Sequence, residues 1–146
     1  MAFMTVHIIK LCVGAESIED LADWQARQVA RMKKSKQRPL PCCGTRAWPK
    51  RREDVLAGGS LYWVIKGVVS VRQKIVAIDD VVDNHGQRCG LYLDAHLQRT
   101  APQPRRAFQG WRYLDPKDAP PDLGTHGMAE DGSPELALEL SRLGLI

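Results

Sequence analysis

Gly58-Gly-Ser-Leu-Tyr-Trp-Val-Ile-Lys-Gly-Val-Val-Ser-Val-Arg-Gln-Lys-Ile-Val-Ala-Ile78 is the stretch whose reading decides the fold. Its odd positions run Leu61, Trp63, Ile65, Gly67, Val69, Val71, Gln73 and Ile75, whereas its even positions include Tyr62, Lys66, Ser70, Arg72 and Lys74. Side chains of an extended chain point alternately to opposite faces, so this pattern predicts an apolar face turned inward and a mixed, basic face turned outward. Trp63 falls on the apolar face and is expected in the core. A typical strand is about five or six residues long, far short of this run, so a break or bulge is expected at Gly67, where no side chain opposes a bend.

Before this stretch, Val6 to Val13 reads as a first strand ended by Gly14. Ser17-Ile18-Glu19-Asp20 offers an N-cap serine with an acid three positions on. The helix it opens carries Ile18, Leu21, Ala22, Val29 and Met32 on one face, with Trp24 at its border. Pro39 and Pro41 stop it, because proline has no amide proton and pushes its predecessor toward extended backbone. Cys43 to Trp48 reads as a short strand and Pro49 as the start of a short helix, which Gly58 and Gly59 end. After the stretch, Asp83-Asn84-His85-Gly86 predicts a hairpin turn between Ile75–Val82 and Arg88–Leu93. Residues 95–104 read as irregular, with Pro102 and Pro104 presenting Arg105 and Arg106. Ala107 to Leu114 is the closing strand, and Asp115 to Leu123, with three prolines, is expected to leave the core. The expected organisation is one globular α+β domain over 1–123, a linker over 124–132 and an amphipathic helix over 133–146 that begins at Ser133-Pro134 and carries Leu136, Leu140 and Leu143.

Composition sets the bounds. A chain of 146 residues fits one domain, whose folding buries roughly two-thirds of the surface its unfolded form exposes. With 44% hydrophobic and 26% charged residues it has the make-up of an ordinary globular protein. Its apolar runs fall short of the ~20 residues needed to span a bilayer, and its first residues lack the pattern of a secretory leader, so it is read as cytoplasmic, with no membrane partner. Cys12, Cys42, Cys43 and Cys89 are too few and too irregularly spaced for a disulfide framework, and the adjacent Cys42 and Cys43 chelate poorly compared with C-x-x-C. They are read as reduced thiols, and no metal or cofactor is assigned.

The formal net charge of +4 is unevenly spread. Trp24 to Arg52 holds ten Lys or Arg and no acid, whereas Asp115 to Glu139 holds seven acids and Lys117 as its sole cation. Helix stability explains part of the basic run, since Arg31, Lys33, Lys34 and Lys36 sit at the helix C-terminus, where the macrodipole favours cations. The alternative to an anionic partner is that the two oppositely charged regions face one another or face water. No nucleophile elbow, zincin motif, Walker loop or dinucleotide fingerprint is present. His96 near Asp94 is the one His/Asp proximity outside the turn, and no catalytic residue is assigned. Basic residues do occur beside aromatic ones: Trp48 with Lys50, Arg51 and Arg52; Tyr62 with Lys66, Arg72 and Lys74; and Arg105, Arg106, Trp111 and Arg112. Cations neutralise phosphates, and an exposed aromatic ring is a stacking platform worth ~1–3 kcal/mol per base. Trp48, between Arg46 and Pro49, is the aromatic expected to be exposed.

Several strings occurring in order extend this reading: His7-Ile-Ile-Lys-Leu-Cys-Val-Gly14, Trp48-Pro-Lys-Arg51, Gly58 to Gly67, Arg72-Gln-Lys-Ile75, and Arg99-Thr100 through Pro104-Arg-Arg106 to Gln109-Gly-Trp-Arg-Tyr-Leu114. Over roughly residues 5–123 the chain resembles a bacterial family of small proteins classed as a domain of unknown function, family 1489 of that series. The resemblance brings no activity with it and leaves the segment after Leu123 outside. A weaker, architectural likeness is to the small PUA-like β-barrels, which include RNA-binding modules, and it implies a bent antiparallel sheet or barrel with an N-terminal and a short C-terminal helix. Residues and resemblance together point first to a nucleic-acid-binding domain, RNA favoured, using Trp48, Lys50, Arg51, Arg52, Lys66, Arg72, Arg105, Arg106, Trp111 and Arg112. The alternative is a small enzyme or binding module for an anionic metabolite. A third reading is an adaptor whose C-terminal helix docks a protein partner.

Overall fold

The computed structural model describes residues 4–123 and is α+β, built on a seven-stranded sheet with two helices. The strands are β1 (His7–Leu11), β2 (Cys42–Thr45), β3 (Ser60–Ile65), β4 (Val68–Asp83), β5 (Gly86–Leu93), β6 (Gln98–Pro104) and β7 (Trp111–Leu114), and the helices are α1 (Ile18–Lys34) and α2 (Arg52–Leu56). The order across the sheet is β2-β5-β4-β3-β1-β7, with β6 also on β4. The expected linker over 124–132 and helix over 133–146 lie outside the described residues.

The long central stretch breaks at the expected place but in a different manner. Lys66 and Gly67 take φ of 51° and 78°, the pair of positive values that closes a two-residue hairpin with the twist of its strands. The chain therefore reverses there instead of bending, and β3 pairs antiparallel with β4 from Ile65↔Val68 to Ser60↔Lys74. The bends lie elsewhere, at register shifts opposite Trp63/Val64 and between Ile75 and Ala77. Each shift moves the inward-pointing parity of β4, which is why Val69 packs in one core, Val71 and Ile75 in another, and Ile78 is buried although its number is even.

Both faces of β3 are covered, so all six of its residues are buried. Leu61, Trp63 and Ile65 join Ile8, Val71 and Leu21 of α1 in the larger core. On the other face, Tyr62 and Val64 pack with Ile9, Val69 and Leu114, and with the partly buried Phe108 and Ala119. The face expected to be basic and solvated is thus largely a second core.

The antiparallel expectation is corrected at β1, which lies parallel to β3, Ile8 opposite Leu61 and Lys10 opposite Trp63. A connection through α1, β2 and α2 is long enough to return the chain in the same direction. The sheet does not close, so the barrel of the PUA-like likeness does not form. Two passages, one read as irregular and one expected to leave the core, belong to the body. β6 follows β5 along the edge of β4, Gln98 opposite Arg72 and Pro104 opposite Val68, where prolines are tolerated because an edge strand can leave an amide position unpaired. The segment after Asp115 forms a 3-10 turn over Pro116–Asp118 and returns to β6, Asp122 bridging Thr100.

Local signals place α1 as expected, whereas α2 begins at Arg52, three residues after the Pro49 expected to start it. Ser17 Oγ accepts from the Asp20 amide at 3.0 Å, and Asp20 Oδ2 from that of Glu16 at 3.1 Å. Gly58 takes φ of 93° after α2, and a Cβ on Gly59 would lie 2.4 Å from the carbonyl oxygens of Val55 and Val6. The docking of α1 depends on a buried polar network absent from the sequence reading. Gln25 of α1 and Gln73 of β4, 4% and 0% exposed, exchange two hydrogen bonds of 2.8 Å. Gln73 Oε1 also accepts from Trp63 Nε1 at 2.8 Å, and its Nε2 donates to the Asp94 carbonyl at 2.9 Å. Gln73→Leu strands the Gln25 amide and the indole N–H in the core, and is expected to lower unfolding stability in urea by about 2–4 kcal/mol. Adding Gln25→Leu, which removes one stranded group, should restore part of that loss.

Candidate functional site

Beside the β7 edge of the sheet, a groove of about 1,050 Å³ is lined by residues from β1, the β2–α2 loop, β5 and β7. The strand register builds its floor: Lys10 lies opposite Trp111 and Ile8 opposite Tyr113, which puts Lys10, Trp111 and Tyr113 on one face. Trp111 and Tyr113, two apart on the strand, meet edge to face at 4.9 Å. One carbonyl fastens the loop to this floor, since Ala47 O accepts from Trp111 Nε1 at 3.0 Å and from Thr45 Oγ1 at 3.0 Å. The loop then presents Trp48, 43% exposed as expected, with Arg46 and Lys50 to either side. Tyr113 joins the start of α2, its hydroxyl accepting from the Arg51 amide at 3.0 Å while the Arg51 guanidinium lies 5.7 Å above its ring.

The groove's electrostatics are one-sided. Lys10, Arg46, Lys50, Arg88 and Arg112 line it together with Trp48, Trp111 and Tyr113, and no carboxylate is in the lining. Lys10, Arg46 and Lys50 make no ion pair among the described residues. Arg88 donates to the Gly44 carbonyl at 3.0 Å. Arg112 is opposite Ile9, on the other face of the sheet, and its guanidinium lies 5.3 Å over Phe108, so it reaches the groove as rim.

Of the ten residues singled out from the sequence, Trp48, Lys50, Trp111 and Arg112 line this groove and Arg51 borders it through Tyr113. The others are not gathered there. Arg52 donates to the Ile78 carbonyl. Lys66 lies 3.7 Å from Glu16. Arg105 and Arg106 follow β6 outside the lining. Arg72 is bound bidentately to Asp122 at 2.7 and 2.6 Å and to Ser60 Oγ at 2.9 Å. Lys10, Arg46, Arg88 and Tyr113 are among the lining residues the sequence reading passed over. Arg46 stood two residues from Trp48 and was within reach of that reading, whereas Lys10 needed the β1–β7 register.

The remaining candidates for chemistry have structural partners. His96 donates its backbone amide to Asp94 Oδ1 at 2.9 Å, so that carboxylate caps a turn. Burial pushes the thiols of Cys42 and Cys43 up to about 12 and about 11, and raises those of Cys12 and Cys89, which keeps them protonated and poorly nucleophilic at neutral pH. Among the described residues no group of three or more His, Cys, Asp or Glu is placed to hold a metal ion, and no helix is long and apolar enough to cross a membrane.

A family model described as a protein of unknown function, DUF1489, matches residues 8–146, and so takes in the segment after Leu123 that the resemblance from sequence left outside. No curated protein and no solved structure matches the chain.

The Arg72 cluster makes the fold sensitive to pH. His7 Nδ1 accepts from the Ser60 amide at 2.9 Å, and burial, then the charge of Arg72, hold its pKa below 6.5. The Arg72 hydrogen bond holds the Asp122 carboxyl below its usual 3.8. A lowered histidine binds its proton more readily in the unfolded chain, so stability should fall as pH drops from 6.5 toward the folded value. The Asp122 contribution is present above 3.8 and is lost as pH falls through the folded value. Urea midpoints between pH 8 and 3 are expected to show both losses, with His7→Gln removing the first and Asp122→Asn the second.

Proposed function

Because the chain belongs to the DUF1489 family of proteins of unknown function, we propose its role from the groove itself: it binds single-stranded nucleic acid, RNA favoured, along the β7 edge. The observation that carries this reading is the acid-free lining in which Lys10, Arg46 and Lys50 have no ion-pair partner among the described residues and share the groove with the exposed Trp48. Ammonium and guanidinium groups take phosphates, and an exposed indole takes the face of an unstacked base whatever its identity. Unstacked bases are commonest in single-stranded RNA loops and ends, which is the ground for favouring RNA.

An anionic metabolite is the competing ligand. Small-molecule sites enclose ~300–1,000 Å³ and converge a few polar groups on one point. Here the volume is about 1,050 Å³ and the cations come from β1, the β2–α2 loop, β5 and β7, an arrangement suited to successive phosphates.

Fluorescence anisotropy with a labelled single-stranded RNA tests the reading. Affinity should fall with salt, and Arg46→Ala or Lys50→Ala should each reduce the slope of log K against log salt by about 0.7. Trp48→Ala should cost ~1–3 kcal/mol, whereas Lys66→Ala and Arg106→Ala, outside the lining, should change little. No binding at low salt, or full competition by a mononucleotide, would overturn the proposal.

A further inference from the structure

A second cavity, of about 310 Å³, opens beside the groove and shares Lys10, Val13 and Gly44 with it. Its character is different. Leu21 and Trp24 of α1, Cys43 of β2 and Trp63 of β3 line it, and Lys10, at the junction with the groove, is its one charged lining residue. Trp63 is 5% exposed and commits its indole N–H to Gln73, so it offers ring surface and no donor. Trp24, by contrast, is 43% exposed and Val13 89%, so apolar surface reaches solvent at the mouth.

We propose that this cavity seats one unstacked nucleobase of a strand whose phosphates lie in the groove, an assignment that rests on the nucleic-acid reading above. Three observations select this occupant. The volume is at the small end of the ~300–1,000 Å³ of ligand sites, enough for one planar heterocycle. The apolar and aromatic lining rewards a flat, weakly polar group that covers it. Lys10 belongs to both spaces, so a phosphate held by its ammonium group places the attached nucleoside at the cavity mouth. An aliphatic side chain or an acyl chain would fill the same space but has no use for a cation at the entrance. Since the side chains that line the cavity offer neutral thiols and no amide or carboxylate, the base is held by stacking and shape, and its hydrogen-bonding edge goes largely unread.

The test uses the full chain and short single-stranded oligonucleotides in which one position is either 2-aminopurine or abasic, at fixed salt. Seating of the base should shift 2-aminopurine fluorescence, and the native protein should bind the intact strand between about fivefold and a hundredfold more tightly than the abasic one. Trp24→Ala removes a wall and Ala15→Leu adds volume to a lining position. Each should abolish the difference while leaving affinity for the abasic strand and its salt slope unchanged, and Trp24→Phe should retain most of it. Circular dichroism and urea midpoints check that the variants are folded, and Trp24, already exposed, is the safer of the two to truncate. Equal affinity for intact and abasic strands in the native protein overturns the base site and leaves the groove reading standing. Failure to bind either strand at low salt overturns both.

Discussion

The carboxamide of Gln73 is the constraint on which the rest of the structure depends. It is fully buried at the middle of the sheet, on the face that packs against α1, and its four hydrogen bonds reach α1, β3 and the chain after β5. An apolar residue there would let the helix slide over a greasy surface with little loss. A buried amide does not, because any displacement leaves donors and acceptors stranded at a cost comparable to a large part of a domain's net stability. The network therefore fixes the axial position and rotation of α1, and with them Leu21 and Trp24, which wall the smaller cavity. The same amide holds the indole of Trp63 in the cavity floor.

The groove has a comparable fastener in the carbonyl of Ala47. By accepting from both Thr45 and Trp111 it ties a loop to an edge strand and fixes where Trp48 is displayed. An edge strand ordinarily invites pairing with another chain. Here the β2–α2 loop and the Arg51–Tyr113 contact occupy that flank with side chains, so that β7 presents aromatic rings.

How far the sequence disclosed this arrangement follows from which interactions are local. The N-cap at Ser17 and the turn at Asn84-His85 are set by neighbours a few residues away, and both are found where they were expected. The Lys66-Gly67 reversal was half legible: glycine marked the place, but a turn requires both residues at positive φ, and a lysine does not advertise that. Pairing over long separations left little trace. Gln98-Arg-Thr-Ala-Pro-Gln-Pro104 lacks strand alternation and is a strand because β4 offers it an edge. Alternation on β3 was misread on its even positions, since Tyr62 and Val64 face a second core whose cover, Phe108 and Leu114, arrives some fifty residues later. The candidate site shows the same limit, because clusters adjacent in sequence, such as Tyr62 with Arg72, lie on a face where the guanidinium is claimed by Asp122.

That division of the cations explains how a modest net charge can support a one-signed groove. Arg72, Lys66, Arg51, Arg38, Arg27 and Arg99 are each within ion-pair distance of a carboxylate: Asp122, Glu16, Asp54, Asp79, Asp23 and Glu19. Exposed pairs of this kind contribute little to stability singly. Their larger effect is on the field, because each offsets a cation that is not in the groove lining and none sets a carboxylate in that lining. A uniformly basic surface would attract polyanions everywhere and hold them nowhere in particular. Gathering Lys10, Arg46 and Lys50 along one concave edge whose lining holds no carboxylate concentrates positive potential there, and the rings of Trp48, Trp111 and Tyr113 lie in the same lining.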